Sequence, residues 1–154
     1  MRVLLTGASG AIGTRLVPQL IDRGHEVIGT STSSSSADRV RALGAEAMVL
    51  DLLDPRAVRS AVRDAKPDAI VHQATALANA RFSRNIDKTL AETNRLRREG
   101  TDALLAAARE SGVSRFVAQS FAAMRYARTG GPIKTEEDPL DPTPLEVSAR
   151  PWRR

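Results

Sequence analysis

The chain of 154 residues contains no cysteine, which excludes a disulfide framework and a thiolate zinc site. Aromatic side chains are scarce: three Phe, one Tyr and one Trp, too few to interleave with basic residues as a stacking surface for nucleic acid. No apolar run approaches the roughly 18 residues of a membrane span, and the basic and apolar regions of a signal peptide are missing from the N-terminus. These absences argue for the cytoplasm and against membrane or nucleic acid as a partner. Lysine is also rare, with Lys66, Lys88 and Lys134 standing among 23 basic residues and a formal net charge of +5. The arginines are spread along the chain apart from Arg95, Arg97 and Arg98 and the closing Arg150, Arg153 and Arg154. No Gly-Lys-Ser/Thr follows the N-terminal glycines, so the P-loop is excluded. No metal site is expected.

What is present is ordinary globular composition, 42% apolar and 27% charged, in a length that suits one domain. RVLLT (Arg2–Thr6) is a short apolar run suited to a strand buried on both faces. A helix is expected over Ala11–Arg23, with Gly24 as its stop and Pro18 inside it. Strands are expected at His25–Thr30, Glu46–Leu50, Asp68–His72 and Ser114–Ser120. Between them a helix over Ala37–Leu43 is capped by Ser35 or Ser36 and ended by Gly44. Another starts at Asp54-Pro55, an N-cap followed by proline at the first helical position, and runs to about Ala65. A long helix covers about Ile86–Ser111, with Leu90, Leu96, Leu104 and Leu105 on one face and Gly112 as its stop. The βαβαβαβαβ order predicts an α/β fold, a parallel sheet of about five strands with helices on both faces. Residues 1–125 form this domain. Residues 126–154 are a loop-rich acidic and proline segment with a basic tail.

Three glycines, Gly7, Gly10 and Gly13, separate the first strand from the first helix. A helix N-terminus leaves N–H groups unpaired and carries partial positive charge, both favourable to phosphate. Gly7 permits the tight turn, Gly10 the approach of a phosphate to the backbone, and Gly13 the packing of helix on strand. This is the logic of a dinucleotide-binding turn.

The stretch TGASGAIG resembles the TGxxGxxG turn of the short-chain dehydrogenase/reductase superfamily. GHEVIG, Asp51-Leu52, DAIVHQAT and GTDALLAAARESGVSRFVAQS are similar to its extended branch, the NAD-dependent epimerase/dehydratase family. The resemblance covers about residues 1–140. It implies a Rossmann-type doubly wound sheet, incomplete relative to the family, and hydride transfer on a sugar-nucleotide-like or small carbonyl/hydroxyl substrate. It places Gly7, Ser9, Gly10, Ala11, Ile12 and Gly13 around the pyrophosphate, Asp51 and Leu52 at the adenine, and Gln73, Ala74 and Thr75 along the pyrophosphate and nicotinamide ribose. Where many members carry an acid for the ribose hydroxyls, this chain has Ser31, with Arg39 nearby. The cofactor is NAD or NADP, and hydroxyls beside an arginine lean to NADP; a solvated serine loop is the alternative.

Ser120 is the catalytic candidate, one residue before the family's usual position, which falls on Phe121. His72 and His25 are read as structural. Asn94 is read as a surface residue, because the family's helix Asn falls on Arg97. The family's Tyr-x-x-x-Lys pair is missing: four residues after Tyr126 stands Gly130, and the next lysine is Lys134. The chain is therefore expected to be the N-terminal part of a longer or frame-shifted protein, inactive alone. The alternatives are a non-catalytic dinucleotide-binding sensor or a fragment whose open sheet edge favours a homodimer.

Overall fold

A computed structural model describes residues 1–79, 86–119, 126–127 and 129–139. Five parallel strands, β1 (Arg2–Thr6), β2 (Glu26–Ser31), β3 (Glu46–Val49), β4 (Ala69–His72) and β5 (Arg115–Ala118), form one sheet in the order β3-β2-β1-β4-β5. The helices are α1 (Gly13–Asp22), α2 (Ser34–Ala42), α3 (Pro55–Ala65), α4 (Ile86–Arg95) and α5 (Thr101–Glu110).

Adjacent residues of β1 point into different cores, as alternation along a strand requires. Leu4 packs with Ile28, Ile70, Val58, Val62 and Leu104, which joins α3 and α5 to one face. Leu5 packs with Val17, Val27 and Val40, which joins α1 and α2 to the other. The chain is thus doubly wound, as expected, and the consecutive apolar residues of RVLLT are explained by burial on both sides.

Several strand and helix ends shift by one to three residues from the expectation, and three differences bear on the site. Helix α1 begins at Gly13 rather than Ala11, because the preceding residues are spent on the turn, where Gly7 has φ +76° and its carbonyl accepts from the Gly10 N–H at 3.0 Å. Helix α2 is capped by Ser33, upstream of Ser35 and Ser36. Ser33 has extended backbone, and its Oγ accepts from the Ser36 N–H. The long helix is broken by a π-helical turn at Leu96–Gly100. Asp54 caps α3 as expected, accepting from the Arg56 and Ala57 N–H groups, with Pro55 beginning the helix. Helix α1 continues across Pro18.

Candidate functional site

The order β3-β2-β1-β4-β5 reverses direction between β1 and β4. In an open parallel sheet the crevice beyond the carboxyl ends of the strands at this reversal is where ligands bind. The loops leaving β1 and β4 meet there. A Cβ on Gly7 would lie 2.8 Å from the Cα and N of Ala74, so Gly7 is required both by its positive φ and by the approach of the β4 loop. A Cβ on Gly13 would lie 2.3 Å from the Gly7 carbonyl oxygen and 2.6 Å from Ala8. Gly13 therefore lets the helix start close on its own turn, which corrects the expected helix-on-strand role. At Gly10 the nearest group is the Gly7 oxygen at 3.2 Å.

No side chain caps α1 at Ile12, and its first turn holds no acid. The Thr14 and Arg15 N–H groups donate to the Gly10 and Ile12 carbonyls within the turn. Unlike α3, whose start is met by the Asp54 carboxylate, the start of α1 turns a positive dipole end with no acid beside it toward the cavity.

A cavity of about 580 Å³ opens at this point. It is lined by all thirteen residues expected at the cofactor: Gly7, Ser9, Gly10, Ala11, Ile12 and Gly13 from the turn, Ser31 and Arg39, Asp51 and Leu52, and Gln73, Ala74 and Thr75. The wall also contains residues that sequence reasoning missed. Thr30, Thr32 and Ser36 lie about Ser31, Leu50 follows β3, Ala76, Leu77 and Ala78 continue the β4 loop, and Leu96 and Gln119 complete the wall. The β-end positions among them were within reach, since each directly adjoins a residue already chosen. Leu96 depends on the π-helical turn. Gly29, within β2, was also missed. A Cβ there would lie 2.5 Å from Val40 Cγ1 and 2.6 Å from Ala8 Cβ, so its absence lets α2 and the turn pack on the sheet. A glycine inside a strand is the signal that could have found it.

The polar groups are specifically arranged. The buried Ser31 donates through Oγ to the Ser33 carbonyl at 3.1 Å. The Arg39 guanidinium donates to Ser36 Oγ at 2.9 Å, and Ser33 Oγ lies 3.1 Å from the same hydroxyl. Asp51 accepts the Leu53 N–H at 2.9 Å through one carboxylate oxygen, so it is part of a loop cap as well as of the cavity wall. Below the site, Thr6 Oγ1 and His72 Nδ1 lie 2.6 Å apart, both buried. This is the structural role expected of His72. The β4 loop is tied to α4 by the Ala76 N–H, which donates to the buried Thr93 Oγ1 at 3.1 Å.

Ser120 lies outside the described residues. Tyr126 is half-buried, followed by the Ala127 N–H donating to the Pro139 carbonyl at 2.8 Å. Gly130, four residues on, has φ +80°. Lys134 Nζ donates to the Thr129 carbonyl and lies 3.8 Å from Asp138 Oδ1. Among the described residues no helix is long and apolar enough to cross a membrane.

Strand order, helices on both faces and the glycine turn at the reversal define a Rossmann-type α/β protein. The chain belongs to the NAD dependent epimerase/dehydratase family, whose model matches residues 3–147. It is 44% identical over 143 residues to a 3-diazoavenalumate denitrifying reductase of a Streptomyces species, covering 91% of this chain and 44% of that protein. It is 33% identical over 129 residues to a 2-alkyl-3-oxoalkanoate reductase of Stenotrophomonas maltophilia, covering 84% and 36%. Among solved structures it is similar to the Thermus thermophilus UDP-glucose 4-epimerase in complex with NAD, at TM-score 0.75 and 29% identity, covering 96% of this chain and 47% of that one. The chain spans less than half the length of each of these relatives.

Proposed function

We propose that the chain binds a nicotinamide dinucleotide in the crevice between β1 and β4, NADP in preference to NAD, and is the cofactor-binding part of a hydride-transferring enzyme. Its substrate is a small carbonyl or hydroxyl compound or a sugar nucleotide. The observation that carries this reading is the uncapped start of α1, opening through Gly7 and Gly10 onto a cavity of about 580 Å³. The positive end of the dipole, with no acid in the first turn, fits a pyrophosphate. The reductase names of two relatives and the NAD complex of the epimerase structure support the cofactor class and the chemistry.

The preference for NADP rests on the β2 end of the cavity. An acid there would accept from a ribose 2′-hydroxyl and repel a 2′-phosphate. Ser31 and Thr32 occupy that place, and the cationic lining residue is Arg39, pinned by Ser36. Asp51 is left for the adenine. The bound cofactor supplies or takes the hydride. The residues of this chain seat its phosphates and ribose and shut water from the inner wall, where Leu50 and Leu52 are buried. The placement of Tyr126 and Lys134 offers no Tyr-x-x-x-Lys pair on one helix face, so binding without turnover is expected of this chain by itself.

Titration of the cofactors' own fluorescence tests the reading. Saturable binding is expected, tighter for NADPH than for NADH. Arg39→Ala should weaken NADPH about tenfold, the scale of a charge-assisted hydrogen bond, and leave NADH unchanged. No saturable binding of either cofactor overturns the proposal. Equal effects on both overturn the NADP assignment. Turnover of a carbonyl compound or sugar nucleotide that vanished in Ser120→Ala would overturn the inactivity of the isolated chain.

A further inference from the structure

Thr93 stands in α4, 1% exposed, with its hydroxyl engaged outside that helix. Its Oγ1 accepts the Ala76 N–H at 3.1 Å, across 17 residues of chain. Threonine is a weak helix former, so propensity does not account for its place. The bond falls on a loop that needs one. Leaving β4, this loop is tied at its start by the Gln73 N–H, which donates to the Thr6 carbonyl at 3.0 Å. Ala76, Leu77 and Ala78 then form cavity wall, across β1 from Ser31 and Arg39. Their side chains carry no hydrogen-bonding group, so only the backbone of this stretch can be tied down. The face of the helix that carries Thr93 goes on to meet the rest of the cavity. Leu96 and Gly100 follow Thr93 three and seven positions on, the spacing of one helix face. Leu96 lines the cavity, and a Cβ on Gly100 would lie 3.4 Å from the Cβ of Leu52, itself a cavity residue. Leu96–Gly100 is a π-helical turn, a form frequent at functional sites. Thr93 is thus the polar end of a stripe laid along the cavity from the β4 loop to the loop after β3.

We infer that Thr93 is a positioning residue of the cofactor site: through the Ala76 N–H it holds the Ala76–Ala78 wall in place for the half of the dinucleotide beyond the pyrophosphate. This inference rests on the dinucleotide reading above, in which Gln73, Ala74 and Thr75 take part and α4 does not. Thr93 is not among the residues that line the cavity, so it acts through the loop and not by touching the cofactor. A wall already in place spares the ligand the cost of ordering it on binding. Without the bond the Ala76 N–H is unpaired and the loop is free to leave the wall. The other end of the cavity is built by Ser31 and Arg39 and by Asp51, from the loops after β2 and β3, and does not depend on this bond.

The test is Thr93→Val in the whole chain, which keeps the shape of the side chain and removes the acceptor, with Thr93→Ser to restore the hydroxyl. Two probes are titrated: NADPH, and adenosine 2′,5′-bisphosphate, which ends before the second ribose. Hydrogen exchange of the Ala76 amide is followed by NMR in the ligand-free proteins. Thr93→Val should weaken NADPH about tenfold, as for loss of one hydrogen bond at a partly buried donor, and leave the bisphosphate unchanged. Exchange at Ala76 should quicken in the same variant. Thr93→Ser should return both readings to within about twofold of the wild type, since it offers the same acceptor. A threonine that serves only the fold would lower the urea midpoint and leave the ratio of the two affinities where it was. Unchanged NADPH affinity overturns the inference, as does equal weakening of both probes, or a serine variant as weak as the valine one. Should Thr93→Val show no cooperative urea transition, Thr93→Ala takes its place. If neither folds, Thr93 belongs to the fold alone and the inference is overturned. A wild type that binds neither probe overturns the functional reading itself and this inference with it; a wild type that binds both, beside an unaltered variant, overturns the inference only.

Discussion

Beneath the cavity, Thr6 ends β1 and His72 ends β4, paired in register. Burial lowers the His72 pKa below its ordinary 6.5. The Leu96 carbonyl works against the shift and the Arg97 charge adds to it. The sign of the consequence follows from linkage. The unfolded chain takes up a proton near pH 6.5 while the folded ring stays neutral to lower pH. The contribution to stability is therefore complete above 6.5 and is lost as the pH falls from there toward the folded pKa. Urea midpoints measured from pH 8 to 5 should fall more steeply for the wild type than for His72→Asn, which can still bond Thr6 but does not titrate. Equal pH dependence would show that the ring does not matter to acid stability. That His72 is structural was the expectation from the sequence, because a histidine at a strand end is more often satisfied within the fold than catalytic. Its partner was not legible, because Thr6 lies 66 residues away and only the sheet brings the two together.

The β1 turn into α1 shows what spacing alone can and cannot say. The three-residue interval of Gly7, Gly10 and Gly13 marked the turn, and all three glycines line the cavity. The role given to Gly13 changed, since the contact that forbids a Cβ is with the turn's own backbone. This difference separates two kinds of glycine by experiment. Gly7→Ala places a Cβ against Ala74 at a positive φ and should cost stability by about 1–3 kcal/mol, the scale of local backbone strain. Gly10→Ala meets the Gly7 oxygen at 3.2 Å and should leave the urea midpoint close to that of the wild type while weakening NADPH by tenfold or more. A Gly10→Ala protein that binds normally would remove the phosphate from this turn. The π-helical turn at Leu96–Gly100 was not legible, because LRREG carries ordinary helix formers up to its glycine. What surrounds it is tertiary: Thr93 Oγ1 holds the Ala76 N–H on one side, and on the other a Cβ at Gly100 would be 3.4 Å from Leu52 Cβ.

For the molecule as a whole, the alternation of strand and helix was enough to read an α/β fold, and the two-sided cores explain why apolar residues follow one another without alternation at Val3, Leu4 and Leu5. The strand order was not written in any segment. It arises from which crossover passes over which face, and it creates the reversal where the Gly7 and Gln73 loops meet. β5 is the last strand of the sheet among the described residues, and Val117 on it is 59% exposed. The site is thus a wall built from the ends of all five strands, and residues as far apart along the chain as Gly7 and Gln119 share it only through the sheet. The most direct test of the account is an amide NMR titration of the whole chain with NADPH. The account predicts saturable shifts concentrated at Gly7–Gly13, at Ser31–Ser36 and Arg39, and at Gln73–Thr75. Shifts that do not saturate, or that saturate while leaving the Gly7–Gly13 amides unmoved, would contradict it.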